Sequence, residues 1–162
     1  MSQGDRSDLE PFFEPSSVAV FGSLREGLGL GYGGIRNMLQ FGYSGKIYPV
    51  SPSYSGEVLG FRAYSAVNDV AEPIDAAIVI TPPPTVPGII EQCARKGVKA
   101  VTIVSENFAE AGGDGVKYQQ QLVEIVRRTG IRIIGPNTVG LFNAANGFIT
   151  NPYLIVQKKI RR

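Results

Sequence analysis

Residues 18–34 read VAVFGSLREGLGLGYGG, and this stretch decides the fold. An apolar run typical of a buried strand passes directly into a segment that holds six glycines and one arginine, Arg25. The next residues, 32–41, carry apolar side chains at helical spacing. Glycines after a strand let an anion approach backbone N–H groups, and the following helix adds the positive end of its dipole. The order strand, glycine loop, helix therefore predicts a phosphate site, with a mobile loop that binds nothing as the alternative.

The glycine spacing narrows the choice of phosphate ligand. Gly22 and Gly27 have the spacing of a P-loop, but Leu28 stands where that motif requires lysine, so we do not expect a magnesium nucleotide here. Gly29-x-Gly31 begins the dinucleotide pattern GxGxxG, but the third glycine arrives too early. Neither of the two common nucleotide motifs is therefore met.

The end of the second predicted strand also argues against NAD. Such folds place an acidic residue there to bind the ribose hydroxyls, whereas this chain has Val50, Ser51 and Pro52. Lys46, at the beginning of the same strand, would instead favour an adenosine that carries an additional phosphate.

The rest of the chain repeats the rhythm of strand and helix. Short runs rich in β-branched residues lie at 17–21, 46–50, 75–80, 99–104 and 131–135. None alternates between polar and apolar residues, which is typical of parallel strands buried on both faces. Helices are predicted at 32–41, from Pro87 to Lys96 and at 116–129, and a hairpin or irregular excursion at 58–64 precedes a single turn at 66–70. The fold class is therefore α/β, a doubly wound, mostly parallel, Rossmann-like sheet of five strands or slightly more.

In such sheets ligands bind beyond the carboxyl ends of the strands. The third strand is followed by TPPPTVPG, a stiff loop with few N–H donors that suits packing against a ring or a chain, or that only starts the next helix. The fourth and fifth strands are followed by Ser105-Glu106-Asn107 and by Gly135-Pro136-Asn137. These two loops either face a ligand or only stabilise turns.

Composition excludes several classes of protein. The 162 residues predict one domain, and a net charge of +2 is too small to indicate nucleic acid or a membrane surface. The chain contains no histidine, which is the commonest general base and zinc ligand, and we expect neither a catalytic nor a metal site. The single cysteine, Cys93, rules out an internal disulfide and is expected in the core. Without an apolar leader or a membrane-length run, we expect a soluble, cytoplasmic protein.

Six segments together carry a resemblance to a known family. In chain order they are PSSVAVFGSLR, GYSGKIYPVSP, GEVLGFRAYSAVNDV, IDAAIVITPP, CARKGVKAVTIVSENFAEAG and GIRIIGPNTVGLFN. The chain resembles the CoA-binding domain of the ADP-forming acyl-CoA synthetases, among them the acetyl-CoA synthetases, and of the succinyl-CoA synthetase α subunit. The resemblance covers Phe12 to Asn143. It implies a Rossmann-like domain at 12–145 between an N-terminal extension, 1–11, and a C-terminal tail, 146–162.

The resemblance implies bound coenzyme A and assigns the site residue by residue. It places the CoA phosphates at Gly22, Ser23 and Arg25, with Lys46 near the adenosine phosphates. It places the adenine or ribose at Val50, Ser51 and Pro52, and the adenine or the pantetheine path at Ile80, Thr81 and Pro82. The thiol end of CoA would lie at Ser105, Glu106 and Asn107, together with Gly135, Pro136 and Asn137.

The family's reaction passes through a phosphorylated histidine that lies in a second domain. The resemblance therefore implies a CoA-binding domain or subunit of an acid–thiol ligase that is inactive without its phosphohistidine and ATP-grasp partners. A stand-alone regulatory protein that responds to CoA or acyl-CoA, and an NAD(P)-binding oxidoreductase domain, are the alternatives. A domain separated from its neighbours can expose apolar surface, which would favour a homo-oligomer. The basic end, IVQKKIRR, indicates a solvated tail or a weak patch for nucleic acid or lipid.

Overall fold

The structure, a computed structural model, describes residues 9–153. Its helices are α1 (Glu10–Phe13), α2 (Leu30–Phe41), α3 (Val86–Lys96) and α4 (Asp114–Thr129), with short 3-10 turns at Val67–Asp69, Pro83–Thr85 and Ala109–Ala111. Its strands are β1 (Ser17–Gly22), β2 (Lys46–Val50), β3 (Glu57–Val58), β4 (Phe61–Arg62), β5 (Ala76–Ile80), β6 (Ala100–Ile103), β7 (Arg132–Ile134), β8 (Phe142–Asn143) and β9 (Phe148–Ile149).

Five of these strands form one parallel sheet in the order β2-β1-β5-β6-β7. Val18 lies opposite Ile47 of β2 on one side and opposite Ala76 of β5 on the other. The chain moves outward from β1 in one direction to β2 and then returns to build the sheet in the other direction. Strand order therefore reverses between β1 and β5, and the predicted α/β, doubly wound, five-stranded fold is confirmed.

Helices cover both faces of the sheet, which is why the strands show no alternation. All six residues of β1 are buried. Ala19 and Phe21 belong to the core beneath α3 and α4, whereas Val18 and Val20 belong to the core beneath α2. Removing a valine of this kind from water contributes about 1.5–3 kcal/mol to folding, so each strand stabilises two layers at once.

The helices end where the sequence predicts and begin slightly earlier. Gly42, Gly97 and Gly130 follow the three long helices in the left-handed conformation, at φ values of 83°, 86° and 75°. Cys93 is fully buried in α3, as expected, and burial raises the pKa of its thiol to about 12. No helix within residues 9–153 is both long and apolar enough to cross a membrane.

The connection between β2 and β5 forms the predicted excursion. Strands β3 and β4 make a two-residue antiparallel hairpin, and the chain then runs beside the end of β2. There Val50 and Tyr64 form a parallel bridge, Tyr64 N–H donates to the Pro49 carbonyl oxygen at 2.9 Å, and Ser51 N–H donates to the Tyr64 carbonyl oxygen at 2.9 Å. These bonds bring residues 64–66 next to the carboxyl end of β2.

The chain after β7 adds a hairpin that the sequence analysis assigns to a tail. Strands β8 and β9 pair antiparallel, and Phe148 and Ile149 are buried in the core beneath α2. The described domain therefore extends to residue 153, beyond the boundary expected at 145. The basic residues of IVQKKIRR, and the first eight residues of the expected N-terminal extension, lie outside the described residues.

Candidate functional site

A cleft of about 660 Å³ lies over the carboxyl ends of β1, β2 and β5. It sits where strand order reverses, which is the usual ligand position in an open α/β sheet. The residues that line it come from the glycine loop, the end of β2, the bridged segment, the proline loop and one face of α3. They are Phe21, Gly22, Ser23, Leu24, Arg25, Val50, Ser51, Pro52, Ser53, Tyr54, Ser65, Ala66, Thr81, Pro82, Thr85, Gly88, Ile89 and Gln92.

The glycine loop brings the start of α2 against the end of β1. A Cβ atom at Gly31 would lie 2.9 Å from the Ser23 carbonyl oxygen and 3.2 Å from the Gly22 Cα, so a larger residue would push the helix away. The Ser23 carbonyl oxygen accepts a hydrogen bond from Tyr32 N–H at 3.1 Å. The first turn of α2 is thereby held directly above the strand end.

Several backbone donors of this loop have no acceptor. Within residues 9–153, the amides of Leu24, Arg25 and Glu26 donate to no protein group, and neither do the first two amides of α2, those of Leu30 and Gly31. The first amides of any helix lack intrahelical partners and carry its positive dipole end. The loop and the start of α2 therefore present free N–H groups of the kind that bind phosphate.

Arg25 supplies the positive charge of the cleft. It is the single charged residue among the lining residues named above. Its guanidinium forms no ion pair or hydrogen bond with any residue that the structure describes. A free, exposed guanidinium beside unpartnered amides is suited to a charge-assisted, bidentate bond to an anion.

The opposite wall of the cleft is stiff and mostly apolar. Pro82 leads into the short 3-10 turn before α3, and the Thr85 hydroxyl lies 2.7 Å from the Pro82 carbonyl oxygen and 2.9 Å from the Thr81 hydroxyl. These contacts fix the loop without a ligand. One turn further along α3, Ile89 adds an aliphatic surface. Such a wall can pack against a planar ring but offers few hydrogen-bond donors.

A second polar cluster lies beside the cleft, at the ends of β6 and β7. Glu110 accepts a hydrogen bond from Asn107 N–H at 2.8 Å and is also hydrogen-bonded to the Asn137 side chain. Hydrogen bonding, first of all with its own backbone amide, lowers the pKa of Glu110. Asn107 and Asn137 have positive φ values of 69° and 54°, a conformation that asparagine tolerates better than most residues. The cluster thus has a fixed shape at the rim of the sheet.

Ser105 does not face this rim. It is buried, its hydroxyl accepts a hydrogen bond from Thr81 N–H at 3.0 Å, and the same hydroxyl points to the Val79 carbonyl oxygen at 3.4 Å. Its carbonyl oxygen accepts from Asn137 N–H at 2.9 Å. Ser105 thus ties the ends of β5, β6 and β7 together, and its expected place near the thiol end of a cofactor stays a prediction.

The structure brings half of the expected site residues into the cleft. These are Gly22, Ser23, Arg25, Val50, Ser51, Pro52, Thr81 and Pro82. Glu106, Asn107 and Asn137 lie in the loops of the neighbouring cluster, whereas Gly135 and Pro136 line a separate, shallow hollow of about 260 Å³ against α4. Ile80 packs into the core beneath α2 and does not line the cleft.

Lys46 is the clearest departure from expectation. It is the first residue of β2, and Val50, which lines the cleft, is the last. Four residues at ~3.3 Å per residue separate the two by about 13 Å along the strand. Lys46 is exposed at the opposite edge of the sheet, so its position does not support the expected contact with an adenosine phosphate.

Several residues that line the cleft are not among those predicted from the sequence. Ser53, Tyr54 and Ser65 belong to the excursion after β2, whose path the sequence does not specify. Thr85 immediately precedes α3 and Gln92 lies on it, and their spacing with Ile89 places all three on the side of the helix that faces the cleft. That periodicity was the available signal for the α3 residues, since a helix that starts at a strand end presents its first turns to the ligand.

A larger hollow of about 720 Å³ lies at the opposite edge of the sheet, among Glu10, Asp75, Lys99 and Thr129. It is remote from the glycine loop and from every unpartnered amide described above. Asp75 is already engaged there, because its carboxylate accepts from the amides of residues 16 and 17. The hydrogen-bond donors therefore identify the smaller cleft as the candidate site.

Comparisons with known proteins show what this chain is similar to. Residues 16–144 match the family described as CoA binding domain. An ADP-forming acetate–CoA ligase II from Archaeoglobus fulgidus is 42% identical over 144 residues, which are 89% of this chain and 21% of that protein. The α subunit of an ADP-forming acetate–CoA ligase I from Pyrococcus furiosus is 42% identical over 137 residues, which are 82% of this chain and 29% of that subunit.

A solved structure has a similar fold. The crystal structure of a Pyrococcus horikoshii OT3 protein superposes with a TM-score of 0.83 at 38% identity, over 93% of this chain and 34% of that one. The chain thus spans less than a third of the two ligases that it matches. Because the family match includes every strand of the parallel sheet and the whole cleft, the chain belongs to the family of CoA-binding domains.

Proposed function

We propose that the cleft binds coenzyme A and that the chain is the CoA-binding domain or subunit of an ADP-forming acyl-CoA ligase. The observation that carries the proposal is the glycine loop, where the amides of residues 24–26 have no acceptor and where Leu24 and Arg25, with its free guanidinium, line the cleft at the reversal point of the sheet. A diphosphate needs this combination of neutral donors and one positive charge. The relatives are ligases that act on CoA, which favours CoA over other diphosphates.

The remaining walls of the cleft fit the adenosine end. Pro52 and Pro82 provide rigid apolar surfaces on either side, and Tyr54 and Ile89 extend them, so an adenine ring can be held by packing alone. Among the residues that the structure describes, no carboxylate lines the cleft to accept hydrogen bonds from the ribose hydroxyls of NAD. These features favour CoA over a nicotinamide dinucleotide.

The pantetheine arm would extend from the cleft toward the polar cluster at β6 and β7. These strands lie one and two strand spacings, ~5 and ~10 Å, from β5, which a flexible arm of that kind can cross. The exposed side chains of Glu106 and Asn107 would be the polar groups beside it. Bound CoA would supply a thiol that accepts the acyl group, and this chain's own part would be to hold and orient that thiol at the sheet edge.

The sequence contains no candidate for the phosphohistidine of such a reaction. It has no histidine, so a phosphohistidine would come from another domain or subunit. The matched ligases are more than three times longer than the part that aligns, which leaves room for such domains. We therefore propose that the chain acts together with phosphohistidine and ATP-grasp domains and has no ligase activity alone.

Isothermal titration calorimetry tests the binding step. CoA, ADP, NADH and NADPH are titrated into the wild type, Arg25→Ala and the control Lys46→Ala, which removes an exposed cation at the far edge of the sheet. We expect CoA to bind most tightly, Arg25→Ala to weaken CoA by about tenfold to a hundredfold, and Lys46→Ala to match the wild type. Absence of CoA binding up to about millimolar concentration would refute the proposal, and tighter binding of NADPH would favour an oxidoreductase domain.

A complementation assay tests the ligase step. This chain is mixed with an ADP-forming acetate–CoA ligase that lacks its own CoA-binding domain, and acyl-CoA formation is followed. Restored activity that is lost again with Arg25→Ala supports the proposal. CoA binding without any complementation contradicts the ligase role and favours the regulatory alternative.

A further inference from the structure

Four large apolar side chains are exposed on the α2 side of the sheet, outside the cleft. We call them the apolar patch: Leu28 in the glycine loop, Leu30 at the start of α2, Val139 in the loop after β7, and Tyr153. Leu28 and Val139 are 74% and 70% exposed, the highest values among the large apolar side chains within residues 9–153. None of the four lines the cleft. Exposed apolar groups that gather in one place mark a surface that contacts another protein.

Helix α2 brings Leu30 and Tyr153 to the same face. Leu30, Gly33 and Asn37 share one side of the helix because three and four residues separate them. A Cβ atom at Gly33 would clash with the Pro152 carbonyl oxygen, and the Asn37 side chain donates to the Tyr153 carbonyl oxygen at 2.7 Å. The segment that reaches Tyr153 therefore runs along the helix face that carries Leu30.

The loop after β7 brings Val139 to the same segment. Leu141 N–H donates to the Thr150 hydroxyl at 2.7 Å, and Thr150 N–H donates to the Leu141 carbonyl oxygen at 3.0 Å. A Cβ atom at Gly140 would lie only 2.8 Å from the Asn151 amide nitrogen, so the backbone next to Val139 lies directly against this segment. The apolar patch thus connects the glycine loop with the loop that follows β7.

The position of the apolar patch identifies what covers it. Leu28 belongs to the loop proposed to hold the CoA phosphates, and Val139 lies two residues after Asn137 of the polar cluster proposed to lie beside the thiol. A protein seated on the patch would touch both ends of the CoA path without entering the cleft. Any chain that continues past Tyr153 also starts from this surface. The aligned part is only 21% and 29% of the two matched ligases, so most of each ligase lies in other domains.

We propose that the apolar patch of Leu28, Leu30, Val139 and Tyr153 is the docking surface for the phosphohistidine domain of the ligase. The inference rests on the proposed function, since it names the partner that must meet the thiol of bound CoA. Docking at this place would bring that domain to the thiol end while leaving the cleft open on the α3 side. Tyr153 is the expected energetic centre, because aromatic residues contribute most at such interfaces.

Binding to a ligase fragment tests the docking surface. The fragment is an ADP-forming acetate–CoA ligase that lacks its own CoA-binding domain, and its dissociation constant with this chain is measured by biolayer interferometry. The patch variant is Val139→Ser/Tyr153→Ser, and the control is Val116→Ser/Val123→Ser, which removes two exposed apolar side chains from α4. All four side chains are exposed, so both variants are expected to fold, which thermal unfolding verifies. We expect the patch variant to weaken fragment binding by about tenfold or more, the control to match the wild type, and both to bind CoA like the wild type.

The other outcomes separate the docking surface from the CoA site. If the wild type binds CoA but not the fragment, or if the two variants affect fragment binding equally, the docking surface is refuted while the proposed CoA site stands. If the wild type binds no CoA, the proposed function itself is refuted. If the chain alone self-associates in sedimentation velocity and the patch variant abolishes this, a second copy covers the patch and the proposal is overturned.

Discussion

The side-chain amide of Asn37 donates to the main-chain carbonyl oxygen of Asn151 at 2.8 Å, although 114 residues separate the two. The same amide donates to the Tyr153 carbonyl oxygen at 2.7 Å, and Asn37 is fully buried. The side chain of Asn37, on the buried face of helix α2, therefore anchors the segment that follows β9. Hydrogen bonds in such a setting contribute about 1 kcal/mol each.

Replacement of Asn37 should loosen that segment. We expect Asn37→Ala to lower the free energy of unfolding by about 1–3 kcal/mol, because two buried hydrogen bonds are lost at once. Urea unfolding measures the change, and hydrogen exchange should show reduced protection at residues 148–151. The control Gln120→Ala removes an exposed amide from α4 and should change the free energy of unfolding by less than about 0.5 kcal/mol. Equal stability of the two variants would contradict the anchoring role of Asn37.

Gly33 allows the segment at residues 151–153 to approach the backbone of α2 closely. A Cβ atom at position 33 would clash with the Pro152 carbonyl oxygen, whereas a Cβ atom at Gly88 in α3 would meet no atom within 4 Å. Alanine favours a helix interior over glycine by about 1 kcal/mol in both helices. We therefore expect Gly88→Ala to stabilise the protein by about 0.5–1 kcal/mol and Gly33→Ala to destabilise it by about 1–3 kcal/mol. Changes of opposite sign in the free energy of unfolding, measured with urea, would confirm the close approach at Gly33. Stabilisation by both substitutions would disprove it.

The thiol of Cys93 should be unreactive in the folded protein. Burial raises its pKa to about 12, so almost no thiolate is present at neutral pH, and the thiolate is the nucleophile. We expect reaction with a disulfide reagent such as DTNB only through unfolding, with a rate that rises steeply as urea is added. Rapid stoichiometric labelling without denaturant would show that α3 opens far more readily than its burial implies.

The carboxylate of Glu110 should make stability depend on pH. Its pKa lies below the usual value of 4.5 in the folded state, so the ionised form stabilises the fold above that value. This contribution is lost as the pH falls through the folded-state pKa. We expect Glu110→Gln to lower the Tm near pH 7 and to match the wild type at a pH well below the folded-state pKa of Glu110. The control is Glu124→Gln, which changes an exposed carboxylate of α4. If the Tm of both variants depended on pH in the same way, Glu110 would not be the cause of the pH dependence.

Much of the sheet follows from local sequence patterns. Apolar runs without alternation indicate all five parallel strands, because burial on both faces leaves few polar positions. Glycine after each long helix marked its end for a steric reason that acts locally. The hairpin of β8 and β9 was missed, although Asn146-Gly147 lies between its strands and is a recognised hairpin turn.

The site was harder to predict than the fold. Lys46 belongs to a strand that reaches the cleft, but only the strand's carboxyl end does so, and direction along the strand decides which residues meet a ligand. Ser105 follows a strand as expected, yet its hydroxyl satisfies Thr81 N–H inside the sheet. Ser65 reaches the cleft through a bridge between distant segments, which no local pattern specifies. Contacts set by tertiary pairing are therefore what the sequence pattern could not supply.

The anchoring of residues 151–153 on α2 has a practical consequence for biosensor design. The cleft opens beside α3 on one side of the sheet, whereas this segment lies against α2 on the other. A fluorescent protein fused after position 153 would therefore sit on the α2 side, close to the first turn of that helix, where a Cβ atom at Gly33 would clash with Pro152. An environment-sensitive dye on a cysteine introduced at Ser55 could report occupancy. Since Cys93 is buried, maleimide chemistry would select the introduced thiol without first removing the native one.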